Sequence, residues 1–173
     1  MRKATSIALS LLLLAAASGS WHSAEAQVSP ELAGGWIVTS WTTPDGSVDS
    51  APQRGLFLFT ASGQYSMMYV PGSEPRPRYE GETQTDAEIL TAYGSFVANS
   101  GRYSVEGNTI TYEAYLAKDP NYMADWNAQE AGNARELTYS INDGILTLTW
   151  GDGRNPGLIA TLRRPGQPQA DQG

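Results

Sequence analysis

The sequence predicts an all-β protein: an eight-stranded antiparallel up-and-down barrel with one helix at its open end. Three observations predict it. Short runs rich in β-branched and aromatic residues recur between clusters of Gly, Pro, Asn and Asp. The connections between the runs alternate between tight and long. Eight antiparallel strands suffice to close a sheet on itself, leaving no exposed edge and room for one small ligand.

The runs, in order, are Gly35–Thr43, Gly55–Thr60, Tyr65–Val70, Gly101–Glu106, Thr109–Ala117, Ala134–Ile141, Ile145–Trp150 and Gly157–Arg163. Between the third and fourth lies a helical window, Asp86–Val97. It carries Ile89, Leu90, Tyr93, Phe96 and Val97 at helical spacing, with Thr85 or Asp86 as N-cap and Glu88 in the first turn. Tight turns follow the second, fourth and sixth runs: Ala61-Ser62-Gly63-Gln64, Gly107-Asn108 and Asn142-Asp143-Gly144. All three contain residues that tolerate positive φ. The remaining connections, Pro44–Arg54, Pro71–Ser100, Lys118–Asn133 and Gly151–Pro156, are longer.

If each strand runs antiparallel to the last, every tight turn falls at one end and every long connection at the other. The result is a sealed floor and an elaborated mouth. The first strand then begins at the floor and the eighth ends there, so Trp36 should meet the Arg163-Arg164 pair. A guanidinium over an indole contributes about 0.5–2 kcal/mol. This contact is read as a plug, not a ligand site.

Two segments are assigned outside the barrel. Arg2-Lys3, the apolar run Ile7–Ala17 and the small-residue site Ala24-Glu25-Ala26 have the order of a secretory signal peptide, with cleavage before Gln27. Residues 27–164 are the barrel. Residues 165–173, rich in Pro, Gln and Asp, are read as a disordered tail. The protein is accordingly expected to be exported, to a periplasm or beyond the cell.

The 173-residue chain has a formal charge of −7. Residues 1–26 hold two cations and one anion, so their removal leaves about −8. An acidic surface argues against nucleic acid as partner. No apolar stretch is long enough for a membrane span. There is no Cys, and the one His, His22, leaves with the leader. Ser-His-Asp triads, thiol nucleophiles and the usual zinc sites are thereby removed. Asp119, Asp125 and Glu130 share one loop but lack calcium-loop spacing. No catalytic residue, metal ligand or cofactor is assigned. Catalysis, if any, falls to Asp, Glu, Tyr, Arg or Lys118.

Several motifs carry a resemblance. Glu31-Leu32-Ala33-Gly34-Gly35-Trp36 followed by Ser40-Trp41 resembles the opening Leu-x-Gly-x-Trp motif of the lipocalin-like domain family. Asp45-Gly46, Gly55-Leu56 and Thr60-Ala61-Ser62-Gly63 fall where that family has similar turns and its second strand. Gly101-Arg102-Tyr103, Asp119-Pro120-Asn121, Arg135 and Gly144–Leu148 resemble its later segments. The resemblance spans roughly residues 31–163. It implies a calycin-type barrel that binds a small apolar or amphipathic molecule. Related small barrels include isomerases and cyclases, so it also leaves room for an enzyme. The chain departs from extracellular lipocalins in lacking cysteines and in placing a helix between the third and fourth strands.

Strand alternation nominates the lumen. The apolar parities hold Tyr65, Met67 and Tyr69; Tyr103 and Val105; Tyr112, Ala114 and Leu116; and Leu146, Leu148 and Trp150. Tyrosine suits a mixed pocket, with an apolar body and one hydroxyl, and equally suits plain core filling. The inward parity of the second and third strands is left open, because both faces hold large apolar residues (Phe57 and Phe59 opposing Leu56 and Leu58), and a one-residue slip would exchange every assignment there. Arg135 shares the parity of Leu137, Tyr139 and Ile141. It is a clamp for a ligand carboxylate or phenolate, or the partner of Glu113 or Asp119, or a strand-end arginine in solvent. Tyr93 and Phe96 on the helix, and Tyr122, Met123 and Trp126 on the 118–133 loop, form a lid or simply cover the open end.

The expected ligand site therefore comprises Tyr65, Met67, Tyr69, Tyr93, Phe96, Tyr103, Tyr112, Trp126, Arg135 and Trp150. The expected function is binding of a small hydrophobic or amphipathic molecule. The alternatives are a cofactor-free isomerase, cyclase or hydratase using Tyr and carboxylate chemistry, and a protein-interaction barrel acting through its mouth loops.

Overall fold

The computed structural model describes residues 27–50, 52–71, 74–79, 81–123, 134–151 and 156–167. The expected leader, Trp126 and residues 168–173 lie outside these.

The strands are β1 (Gly34–Thr42), β2 (Val48–Asp49), β3 (Leu56–Phe59), β4 (Gln64–Tyr69), β5 (Val97–Glu106), β6 (Thr109–Ala117), β7 (Arg135–Asn142), β8 (Ile145–Trp150) and β9 (Ile159–Arg163). The helix α1 (Asp86–Gly94) lies between β4 and β5. Neighbouring strands pair in the order β2-β1-β3-β4-β5-β6-β7-β8-β9, and β1 also pairs with β9. Eight strands thus close an antiparallel barrel. The two-residue β2 sits on β1 at Trp41 and Thr42, beyond the part of β1 that β3 covers.

The tight turns behave as their residues require. Gly63, Gly107, Asp143 and Gly144 all have positive φ, a region costly for most side chains. Thr85 caps α1 in a capping box with Glu88. The helix stops at Gly94, three residues before the expected end, and β5 starts at Val97 instead of Gly101. Phe96 and Val97 fit helical spacing locally. The ladder with β4, pairing Tyr69 with Val97 and Met68 with Ala98, takes precedence. Long-range strand pairing here overrides local periodicity.

Two bulges shift the alternation. Along β1 the register with β9 passes from Val38 to Ser40, and the hydroxyl of the skipped Thr39 donates to Thr161 O at 3.0 Å. Trp36, Val38 and Trp41 therefore all point inward and are buried. Between β5 and β6 the register passes from Ser100–Leu116 to Gly101–Ala114, leaving Tyr115 unopposed. Leu116, expected in the lumen, is 66% exposed as a result. A bulge moves every later side chain to the other face. Gly101 permits the close approach: a Cβ there would sit 1.8 Å from Glu113 O. On β3, Phe57 and Phe59 are the buried pair, and Leu58 faces out.

The floor is the expected plug, made by Arg164 alone of the arginine pair. Its guanidinium carbon lies 3.9 Å from the Trp36 ring centroid. Nη1 donates to Ala33 O and Nη2 to Glu31 O, each at 2.7 Å. The Trp36 indole N–H donates to Leu32 O at 2.8 Å. Gly34 has φ +121, and a Cβ on it would fall 2.2 Å from Nη1 of Arg164. The glycine of the opening motif is thus the opening through which the arginine reaches the carbonyls.

Two substitutions check this floor. Arg164→Met is expected to lower stability by about 1–3 kcal/mol, from the lost cation–π contact and two charge-assisted bonds. Gly34→Ala is expected to cost more than Gly46→Ala. Gly46 also has positive φ but has nothing within 4 Å of a Cβ. Urea denaturation of the three variants measures both differences.

Candidate functional site

The lower lumen is filled by side chains. Phe59 and Tyr103 meet edge to face with centroids 5.2 Å apart. The Tyr103 hydroxyl donates to Thr60 O in the floor turn at 2.8 Å. Higher up, Trp41 packs on Tyr69 and Trp150 at 4.9 and 5.7 Å, and Phe57 stacks on Tyr69 at 5.6 Å. These rings form an aromatic layer across the barrel.

Above that layer, at the mouth, lies a cavity of about 200 Å³. Met67, Tyr69, Tyr112 and Trp150 supply its apolar side. Val97, Ala98 and Ala117 form a small-residue wall, and Asn99, Lys118, Asp119, Tyr122 and Arg135 bring polar groups. The wall depends on the bulge at Tyr115, because Ala117 pairs with Asn99 and lines the cavity while bulky Leu116 is turned outward.

The polar groups are held differently. The Arg135 guanidinium carbon lies 4.1 Å from the Tyr122 ring centroid, and its Nε is buried without a hydrogen-bond partner. The side-chain carbonyl oxygen of Asn99 is likewise buried and unpartnered. Asp119 accepts from the Asn121 N–H at 3.0 Å, capping the short 3-10 turn Pro120–Tyr122. Lys118 donates to Tyr93 O at 2.6 Å and to Phe96 O, and its ammonium lies over both rings. The Tyr93 hydroxyl returns a bond to Lys118 O. Arg76 adds bonds to Ser95 Oγ and Ala92 O. The C-terminal end of α1 is thus anchored to the mouth by two cations.

Burial, and to a lesser degree the neighbouring Tyr112, pushes the Tyr69 phenol well above its ordinary range. It is therefore a neutral donor at physiological pH rather than a base. Glu113, one of the partners considered for Arg135, faces outward and pairs with Arg102 at 2.7 Å. No cluster of three or more His, Cys, Asp or Glu occurs among the described residues. No helix among them is long and apolar enough to cross a membrane.

Of the residues nominated from sequence, Met67, Tyr69, Tyr112, Arg135 and Trp150 converge on this cavity. Tyr65 lies behind it, its ring edge-on to Tyr112 at 5.3 Å and its hydroxyl buried without a partner. Tyr103 belongs to the floor. Tyr93 and Phe96 hold the helix to Lys118. Val97, Ala98, Asn99, Ala117 and Lys118 escaped sequence reasoning. Gly101 was the available signal, since an isolated glycine within a strand marks a bulge or a close backbone approach.

By strand order and closure the chain has a lipocalin-like fold. No family model matches the chain, and no curated protein matches it. Among solved structures, a lipocalin-like protein from Bacteroides uniformis ATCC 8492 is similar at 15% identity and a TM-score of 0.44, over 78% of this chain and 98% of that one. An uncharacterized protein from Bacteroides eggerthii DSM 20697 is similar at 13% identity and a TM-score of 0.42, over 77% of this chain and 98% of that one.

Two contrasts test the assignments of the tyrosines. Tyr103→Phe removes a made hydrogen bond and is expected to cost about 0.5–1.5 kcal/mol, whereas Tyr65→Phe removes an unmade one and is expected to be neutral or stabilising. Burial raises the phenols of Tyr65, Tyr69 and Tyr103 above their ordinary value. The native state then keeps protons that the unfolded chain releases above pH of about 10. Stability is expected to be unaffected by these groups below that pH and to fall as pH rises beyond it. Urea midpoints measured at about pH 9 and about pH 11 check the sign.

Proposed function

We propose that this protein binds a small amphipathic molecule in the mouth cavity. The observation that carries the reading is an aromatic-walled cavity of about 200 Å³ at the open end of the barrel, with buried polar atoms of Arg135 and Asn99 left unmatched among the described residues. Buried polar groups normally find partners, and leaving them unmatched is costly. A bound molecule with an apolar body and polar substituents would supply both needs. A dry cavity of about 150 Å³ holds a benzene ring, so the ligand scale here is one ring with short substituents, well below that of long-chain lipids.

Ligand binding is tested with indole as a neutral probe, by saturation-transfer NMR. Binding is expected in the native protein and is expected to be lost in Ala117→Trp, whose side chain would fill the cavity from its wall. Thermal unfolding of the variant confirms that the barrel persists. Indole binding that is unchanged in the variant would remove the cavity as the site.

We further propose that the protein acts after export. The support is the basic, apolar and small-residue order of residues 1–26. The mature chain recovered from its host is expected to begin at Gln27, as read by intact mass.

A further inference from the structure

We infer that the ligand of this cavity is a small aromatic anion, held at its acidic group by Arg135 and at a hydroxyl or N–H by Asn99; the inference rests on the binding role proposed above.

Charge is the first argument. The chain carries a formal charge of −7, yet among the described residues its mouth cavity is lined by two cations, Lys118 and Arg135, against one carboxylate, Asp119. A net positive concavity on an acidic protein attracts anions locally while the surface as a whole repels them.

The two cations are not equivalent. Lys118 is already bonded to Tyr93 O and Phe96 O. Arg135 retains a buried Nε with no partner among the described residues. Its guanidinium lies over the Tyr122 ring at 4.1 Å. Stacking occupies a face of the guanidinium and leaves its in-plane N–H groups for a planar acceptor. A carboxylate is the acceptor that matches this fork.

The Asn99 carbonyl oxygen adds a complementary constraint. It is an acceptor, buried and unpartnered. A purely anionic ligand would not satisfy it, whereas one that also carries a donor would. The same cavity is lined by the rings of Tyr69, Tyr112 and Trp150 with Met67. That wall suits an aromatic body, through ring stacking and sulfur–aromatic contact. Ring, anion and donor together describe a phenolic or similarly substituted aromatic acid.

The test uses two nearly isosteric probes, anionic 4-hydroxyphenylacetate and neutral 4-hydroxyphenylacetamide. Each is titrated by calorimetry at neutral pH into the purified protein, Arg135→Met and Arg135→Lys. The acid is expected to bind the native protein about tenfold or more tightly than the amide, the scale of one charge-assisted bond. Arg135→Met is expected to abolish that preference while amide binding stays. Arg135→Lys, which keeps the charge but lacks the planar fork, is expected to restore part of it. Circular dichroism and indole binding show whether each variant keeps its fold and cavity. Equal binding of acid and amide to the native protein overturns the anion assignment and leaves the cavity reading standing. A preference that survives Arg135→Met overturns the role of Arg135. If neither probe binds but indole does, the ligand class is wrong and the site is right. If indole also fails, both readings fall.

Discussion

The barrel depends on the closure of its floor. Arg164, just past the last strand, reaches under the first strand to the carbonyls of Glu31 and Ala33 and lies over Trp36. One side chain thereby ties together the two strands that complete the cylinder, next to the β1–β9 ladder. The contact needs a residue without a Cβ at position 34, with φ of +121. It also needs the indole N–H turned back to Leu32 O. Once the cylinder is shut, every inward side chain must share one narrow lumen. Eight strands leave space for side chains or for a single small molecule. Trp41, Phe57, Tyr69 and Trp150 consume much of that space, and the cavity at the mouth lies above them.

The cavity exists because alternation is broken in one place. With regular pleating, β6 would continue inward from Ala114 to Leu116, and leucine would fill the mouth. The unopposed Tyr115 reverses the parity, sends Leu116 to solvent and brings Ala117 inward. A methyl group then replaces an isobutyl group on the wall. Asn99 arrives beside it because β5 runs four residues further toward the mouth than its glycine suggests. A local irregularity, permitted by Gly101, thus converts a filled barrel into a hollow one.

This explains what was legible in the sequence and what was not. Turn chemistry at Gly63, Gly107 and Asp143-Gly144, and the alternation of short and long connections, were sufficient for strand count, direction and closure. The meeting of Trp36 with Arg164 followed from that geometry alone. Tyr112, Arg135 and Trp150 were reachable because alternation holds along their strands as far as those residues, whereas Met67 and Tyr69 lie on a strand whose inward face the sequence left open. Asn99 and Ala117 were not, because their positions depend on a pairing between distant segments that leaves only a weak trace in local pattern. On β3 the two faces were equally apolar. Their assignment rested on the ladders to β1 and β4, which no single strand encodes.

The mouth wall also shows how the site keeps its shape despite exposed apolar residues on its helix. Ile89 and Leu90 of α1 face solvent, so the helix gains little from burial and contributes only Ala92 to the interior. A nine-residue helix with so little packing is marginal by itself. Its ends are secured instead. Thr85 and Glu88 satisfy the first turn, and Arg76 and Lys118 neutralise the carbonyls of the last. Lys118 is the only lysine after residue 3, and its charge is committed to this anchoring. The same bonds fix the end of β6, where Ala117 and Asp119 border the cavity. In the binding role proposed above, recognition and rigidity fall to different cations at one mouth. Lys118 holds the wall in place, which reduces the ordering cost of binding. Under the proposed binding role, Arg135 is the cation left to meet the ligand.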